Sequence, residues 1–196
     1  MANVCCTDYV FFAENRESLA QFREILEEVL KGVQNRRIPS ESGECDYEVL
    51  QRELGIPEGR RTTGRGFVVD LSELQEDSHG PYFKVEVQDC WRASPDVISA
   101  LLQDDPEINF VYREDEPQEH IASTNDSDGR FFPHRFRIWG IQGEHQENLI
   151  DAWLEDEEAA PQFLKTHMNV KGDNLEKAME LMSKNSNMYL YAVEEN

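Results

Sequence analysis

The feature that most restricts this chain is a change of hydrophobic period near its start. Residues 4–13, VCCTDYVFFA, are rich in β-branched and aromatic side chains, the composition of a strand. From 17 to 32 the period becomes helical. Leu19, Phe22, Ile25, Leu26, Val29 and Leu30 fall on one stripe, and Glu24, Glu27, Glu28 and Lys31 lie outside it. Gly32 reads as the stop signal of that helix. A strand that feeds an amphipathic helix must bury an apolar face on each, which a sheet covered by helices on one side achieves. The expected fold class is therefore α+β.

The rest of the chain extends this pattern. Residues 66–71, GFVVDL, read as a short strand, and 82–89, YFKVEVQD, alternate cleanly as a main one. Ser94 and Pro95 mark a helix start, with Val97, Ile98, Leu101 and Leu102 directed inward and Pro106 as the stop. Residues 108–112 form the next strand. Segments 118–124 and 130–139 are expected to pair around Asp126-Ser127-Asp128-Gly129, because an Asp-Gly step favours a primed hairpin turn. Glu144 to Glu158 is expected to be a helix that places Leu149, Ile150, Trp153 and Leu154 on the core and is broken by Pro161. Asp173 or Asn174 then caps a last helix, and 188–193 returns the chain to a sheet as a strand. Residues 33–65 stand apart: Arg36, Arg37, Arg52, Arg60, Arg61 and Arg65 are mixed with acids, Pro39 and Pro57, and only Tyr47, Val49, Leu50 and Leu54 hint at a short helix. The expected organisation is a single domain over 1–196, with an insertion at about 33–65 and a C-terminal helical extension at about 144–184.

Charge decides which partners to expect. Lys plus Arg is 19 and Asp plus Glu is 40, a formal charge of −21. Phosphate contacts need clustered Lys and Arg, so direct binding to nucleic acid or to an anionic membrane is not expected. No apolar run approaches the roughly 20 residues of a membrane-spanning helix. Met1 to Cys6 lack the basic and apolar regions of a signal peptide, so a cytoplasmic location is expected. Cys5, Cys6, Cys45 and Cys90 then read as free thiols, with adjacent Cys5 and Cys6 on opposite faces of a strand. The five histidines are scattered singly and no C-x-x-C is present, so neither metal nor cofactor is expected.

Four local signals bear on function. Glu144, Glu147, Asp151, Glu155 and Glu158 are spaced 3, 4, 4 and 3, which on a helix places five carboxylates in one stripe about 21 Å long. Like charges at that spacing, and acids in a last helical turn, cost local stability, so the stripe reads either as a solvated face or as a surface for a basic protein. A second acidic group, Asp104, Asp105, Glu107, Glu114, Asp115, Glu116 and Glu119, decorates a strand and its turns. Thr124 to Gly129 echoes a calcium loop, but Thr124 and Arg135 stand where its first and last carboxylates belong, which leaves a turn. The stretch Gly59 to Gly66 carries Arg60, Arg61 and Arg65 and could hold an anion, although it lacks the Gly-Lys-Ser/Thr of a phosphate loop. No nucleophile-and-base signature is present, and an enzyme is not the expected class.

Several short words along residues 2–140 resemble the YubB ferredoxin-like family carried by phages, plasmids and other mobile elements. They are Ala2-Asn3-x-Cys5 opening the first strand, Arg65-Gly66-Phe67 closing the insertion, and Tyr82 to Asp89 running into Trp91-x-x-Ser94-Pro95. Ile108-x-Phe110-x-Tyr112 with Glu114-Asp115-Glu116-Pro117, and Arg137-Ile138-Trp139-Gly140, complete the set. Val4 and the cysteine pair depart from that pattern. The resemblance implies a ferredoxin-like sheet, helices on one face and a long insertion after the first helix, without an iron–sulfur cluster, and brings no functional residues with it. The function expected from these observations is an interaction protein that presents an acidic surface to a basic partner, a DNA mimic or anti-defence factor being one form. The alternative is a small hydrolase or nucleotide-modifying enzyme with its site between the insertion and the sheet.

Overall fold

The computed structural model describes residues 3–142, 148–168, 175–183 and 188–196. The chain is mixed α and β and divides into two compact units, Met1–Glu116 and Pro117–Asn196. Among the described residues no helix is long and apolar enough to cross a membrane.

The first unit runs β1 (Val4–Phe12), α1 (Arg16–Gln34), β2 (Cys45–Asp46), α2 (Tyr47–Glu53), β3 (Gly66–Leu71), β4 (Gln75–Asp77), β5 (Gly80–Cys90), α3 (Pro95–Leu101) and β6 (Asn109–Glu116). Its strands lie in the order β6-β1-β5-β3-β2, each neighbouring pair antiparallel, and β4 also pairs with β5. Strand parity selects the core face. Cys5, Thr7, Tyr9 and Phe11 of β1 are buried, opposite Asp89, Val87, Val85 and Phe83 of β5. Leu19, Phe22, Leu26, Val29 and Val33 of α1 and Val97, Ile98 and Leu101 of α3 complete that core. Phe11 stacks on Phe83 with ring centroids 5.1 Å apart and meets Phe22 at 5.4 Å.

Local chemistry fixes the helix ends. The Asn15 side chain accepts the N–H groups of Glu17 and Ser18 and starts α1. Gly32 does not stop it: α1 continues to Gln34, and a Cβ at Gly32 would lie 2.5 Å from Ile38 Cδ1. The glycine is there because the chain returning from the helix packs against its last turn. Within the insertion the hinted helix is real, as α2, capped by Asp46 and burying Tyr47, Val49 and Leu50.

The second unit runs β7 (Ile121–Thr124), β8 (Phe136–Gln142), β9 (Asn148–Leu154), α4 (Ala159–Met168), α5 (Leu175–Ser183), β10 (Met188–Ala192) and β11 (Glu194–Glu195). An antiparallel sheet in the order β10-β8-β9 packs one face on α4 and α5 through Phe136, Ile138, Leu154, Ala160, Leu164, Met188 and Leu190. Its other face carries Tyr189 and Tyr191, Arg137 and Trp139, and Asp151 and Trp153, by the register of the three strands.

Three expectations are corrected here. Residues 148–154 form a strand, not part of a helix over 144–158; Ile150, Ala152 and Leu154 face the core while Leu149, Asp151 and Trp153 take the other side. Because both faces carry apolar groups, the segment shows no alternation, and its paired apolar residues imitate a helical stripe. Pro161 does not break a helix: it sits in the first turn of α4, where its missing N–H would have had no intrahelical partner. Segments 118–124 and 130–139 do not pair with each other, since β7 pairs in parallel with β11 and β8 pairs with β9 and β10.

Candidate functional site

A buried polar cluster lies in the first unit, on the core face of β1, β5 and β6. Asp89 is 1 % exposed, Glu114 1 %, and Thr7 and Glu116 0 %. The Thr7 hydroxyl donates to Asp89 Oδ2 at 2.8 Å, and the Tyr47 hydroxyl, brought in by α2, donates to Oδ1 at 2.9 Å. One strand further on, Glu114 accepts from Arg92 Nε at 2.8 Å and from the Ala93 N–H at 2.6 Å. The Ser94 N–H donates to the Tyr9 hydroxyl at 3.0 Å. The link between β5 and α3 is therefore pinned by acceptors on β1 and β6.

The glycine-rich stretch closes over this cluster. A Cβ at Gly66 would stand 2.6 Å from Asp89 Oδ1 and 2.9 Å from Tyr47 Cε2, and one at Gly64 would stand 2.6 Å from Val97 Cγ2. These glycines permit a close approach to the buried carboxylate. Burial pushes the Asp89 carboxyl up to about 6, against the pull of the hydroxyls of Thr7, Tyr47 and Ser94, with the charge of Glu114 adding to the rise. The Cys5 thiol, 3.9 Å from Glu114 Oε2, is pushed up to about 12 chiefly by burial. At that value it carries almost no thiolate near neutrality and offers no nucleophile. The Tyr47 phenol is likewise raised by burial and stays a donor. Chemically, the arrangement is a lock of hydroxyl, guanidinium and N–H donors on two buried carboxylates of the sheet core. Among the described residues no group of three or more His, Cys, Asp or Glu side chains is disposed to hold a metal ion.

Beside the lock, Trp91 takes a left-handed backbone conformation, φ 74°, and its side chain is 52 % exposed. Its N–H donates to the Asn3 carbonyl at 3.2 Å. A bulky residue in that region of φ is strained, and strain of this kind has to be held by its surroundings.

The residues singled out in the sequence are dispersed. Glu144 and Glu147 lie outside the described residues. Asp151 is on β9 and pairs with Arg137 at 2.8 Å. Glu155 and Glu158 follow that strand, exposed, at the start of α4, whose N-terminus is capped by Asp156 accepting from the Glu158 and Ala159 N–H groups. These acids stand at the positive end of a helix dipole, where they stabilise, rather than in a last turn where they would oppose it. In the second acidic group, Glu114 and Glu116 are buried, so only part of it decorates the surface. Arg60 and Arg65 are exposed, whereas Arg61 donates to the Ile56 carbonyl at 2.9 Å. Asp126 is 4 % exposed and accepts the N–H groups of Phe131 and Phe132 at 2.7 and 2.8 Å, so the calcium-like word is spent on a turn.

Sequence reasoning missed Asp89, Thr7, Tyr47 and Arg92. A signal existed for the first two: Asp89 shares parity with Phe83, Val85 and Val87, and Thr7 with Tyr9 and Phe11. Tyr47 carried no such signal, because its place follows from how the insertion folds back. Comparison with protein families, curated proteins and solved structures yields no match to this chain.

Proposed function

We propose that this chain is a non-enzymatic interaction protein, of the kind carried by mobile elements, whose acidic exterior receives a basic protein. The observation that carries this reading is the way its guanidinium groups are used. Arg23 binds the Ser72 carbonyl and Glu73, Arg92 binds Glu114, Arg113 binds Asp8, and Arg137 binds Asp151. Arg16 and Arg52 are paired with Glu76 and Glu53. These guanidinium groups are held in pairs within the chain while Glu17, Glu24 and Glu28 of α1 and the run Glu155 to Glu158 stay exposed, on a chain whose formal charge is −21. A field of that sign steers basic partners to the surface. The order of β6, β1, β5 and β3, all antiparallel, with α1 and α3 as the two crossovers, supports a ferredoxin-like reading of the first unit.

Calorimetric titration with poly-lysine at low and high salt tests the reading. Charge reversal at Glu155, Glu157 and Glu158 is compared with reversal at Glu17, Glu24 and Glu28. An acidic receiving surface predicts salt-sensitive binding that each triple variant weakens and that both together weaken most. Absence of binding at low salt, or binding unchanged by salt and by both reversals, overturns it.

A further inference from the structure

β9 is an end strand of the β10-β8-β9 sheet, and β8 is the one strand paired with it among the described residues. An end strand offers the N–H and C=O groups of alternate residues to whatever lies beside it. Proteins commonly blunt such an edge with lysine, proline or a bulge. β9, with the sequence NLIDAWL, uses none of these. It pairs with β8 in unbroken register, from Phe136 opposite Leu154 to Gln142 opposite Asn148. Its single charged residue, Asp151, is met by Arg137 at 2.8 Å, so that carboxylate is matched within the sheet. The strand is also apolar on both faces. Ile150, Ala152 and Leu154 face the helix-covered core, and Leu149, on the other side, is 63 % exposed, the most exposed large apolar side chain among the described residues.

The residues that flank β9 select what pairs with it. In sequence it is preceded by Glu144 and Glu147 and followed by Glu155, Asp156, Glu157 and Glu158, the last four exposed. A second copy is the occupant this charge disfavours. Antiparallel pairing of β9 with itself sets the acids that follow one copy toward those that precede the other. A neutral strand gains main-chain hydrogen bonds and contact with Leu149 alone. A basic strand gains these and attraction to the four acids at the end of β9. We propose that an extended segment of the basic partner joins this sheet as a further strand beside β9, apolar where it pairs and carrying Lys or Arg beyond. The inference rests on the acidic-surface reading above and adds the place and manner of contact. Main-chain hydrogen bonds hold the segment, and its flanking charges select it.

The probe is a synthetic peptide with a pair of lysines at each end and alternating valine and threonine between them. A control keeps the lysines and replaces the centre with glycine and serine. Both are titrated calorimetrically into the full chain, and amide hydrogen exchange is followed by NMR with each peptide at saturation and with poly-lysine. Strand addition predicts that the valine–threonine peptide binds at least about tenfold more tightly than the control, the worth of a few main-chain hydrogen bonds. Alternate amides of β9 should also exchange at least about tenfold more slowly with that peptide, and not with poly-lysine. Leu149→Ser, at an exposed position with little risk to folding, should weaken the valine–threonine peptide by about two- to fivefold and leave the control unchanged. Equal affinity of the two peptides, or β9 exchange unchanged at saturation, overturns the strand addition. Poly-lysine binding alongside either result keeps the acidic-surface reading intact, and its absence removes that reading as well.

Discussion

The most deeply buried charged groups of the two units differ in sign and in chemistry. The first buries carboxylates: Asp89 held by two hydroxyls, and Glu114 by a guanidinium and a backbone N–H. The second buries a cation, Arg137, 2 % exposed, which pairs with Asp151, donates to the carbonyls of Ile138 and Ala152 and lies 4.7 Å from the Trp153 ring centroid. A carboxyl can discard its charge by taking up a proton, whereas a guanidinium keeps its charge at any ordinary pH. The first unit therefore holds an adjustable charge and the second a fixed one, which must be fully solvated by its neighbours.

The largest expected effect tests the fixed charge. Arg137→Ala leaves a cavity beneath Trp153 and strips two carbonyls of a donor, and should cost about 3–5 kcal/mol of stability in chemical denaturation. Arg137→Met fills much of the volume and should cost at most about half of that. Both losses should be the same at mildly acidic and neutral pH. A marked pH dependence of the Arg137→Ala loss would break the contrast between the units.

The adjustable charge comes next. Folding raises the Asp89 carboxyl from its ordinary 3.8 to about 6, so the protonated form favours the fold. Its contribution is complete below about pH 4 and is lost as pH rises through about 6. A shift of that size corresponds to about 3 kcal/mol. Asp89→Asn cannot titrate, so its stability relative to wild type should rise by up to about 3 kcal/mol between about pH 4 and pH 7. The surface carboxylates are common to both proteins and cancel in that difference. Parallel stability–pH curves for the two proteins would show that Asp89 keeps one protonation state throughout.

A smaller effect probes how the lock is closed. Gly66→Ala drives a methyl to 2.6 Å from Asp89 Oδ1 and 3.0 Å from the Gln88 carbonyl, neither of which is a flexible tip. Overpacking of this kind should cost about 1–3 kcal/mol. Gly59→Ala, a position with open space around it, should change stability little. Equal melting temperatures for the two variants would mean that the stretch does not press on the carboxylate.

The two units also differ in how far they could be read from sequence. β1, α1, β3 and β5 were legible because each has a polar side, so that the period of Leu19, Phe22 and Leu26, or of Phe83, Val85 and Val87, is visible against it. Parity also places Asp89 and Glu114 among the inward residues; four consecutive charged residues, Arg113 to Glu116, conceal the alternation on β6. The second unit was less legible for the opposite reason. β9 has Leu149 and Trp153 on one face and Ile150 and Leu154 on the other, and a strand apolar on both sides looks like a helix. The correct start of α4 was written in Asp156 and Pro161, a cap and an early proline, and was obscured by the acids between them. The elements that hold Tyr47 and Tyr189 were legible but the contacts of these side chains were not, because their partners are distant in sequence.

The smallest expected effect concerns the turn that joins the lock to the surface. Trp91 lies between Cys90, whose N–H donates to the Arg65 carbonyl, and Arg92, which holds Glu114. Its φ of 74° places a bulky side chain where glycine is at ease, and the indole is half exposed, so little burial offsets the strain. Trp91→Gly relieves that strain and should raise stability by about 1 kcal/mol, after the extra freedom of glycine in the unfolded chain is counted. Trp91→Ala keeps a Cβ at positive φ and should gain nothing. Denaturant midpoints of the two variants separate these outcomes. If the glycine variant is instead less stable than wild type, the indole is anchoring the turn, and the link between β5 and α3 is held from outside as well as by the buried carboxylates.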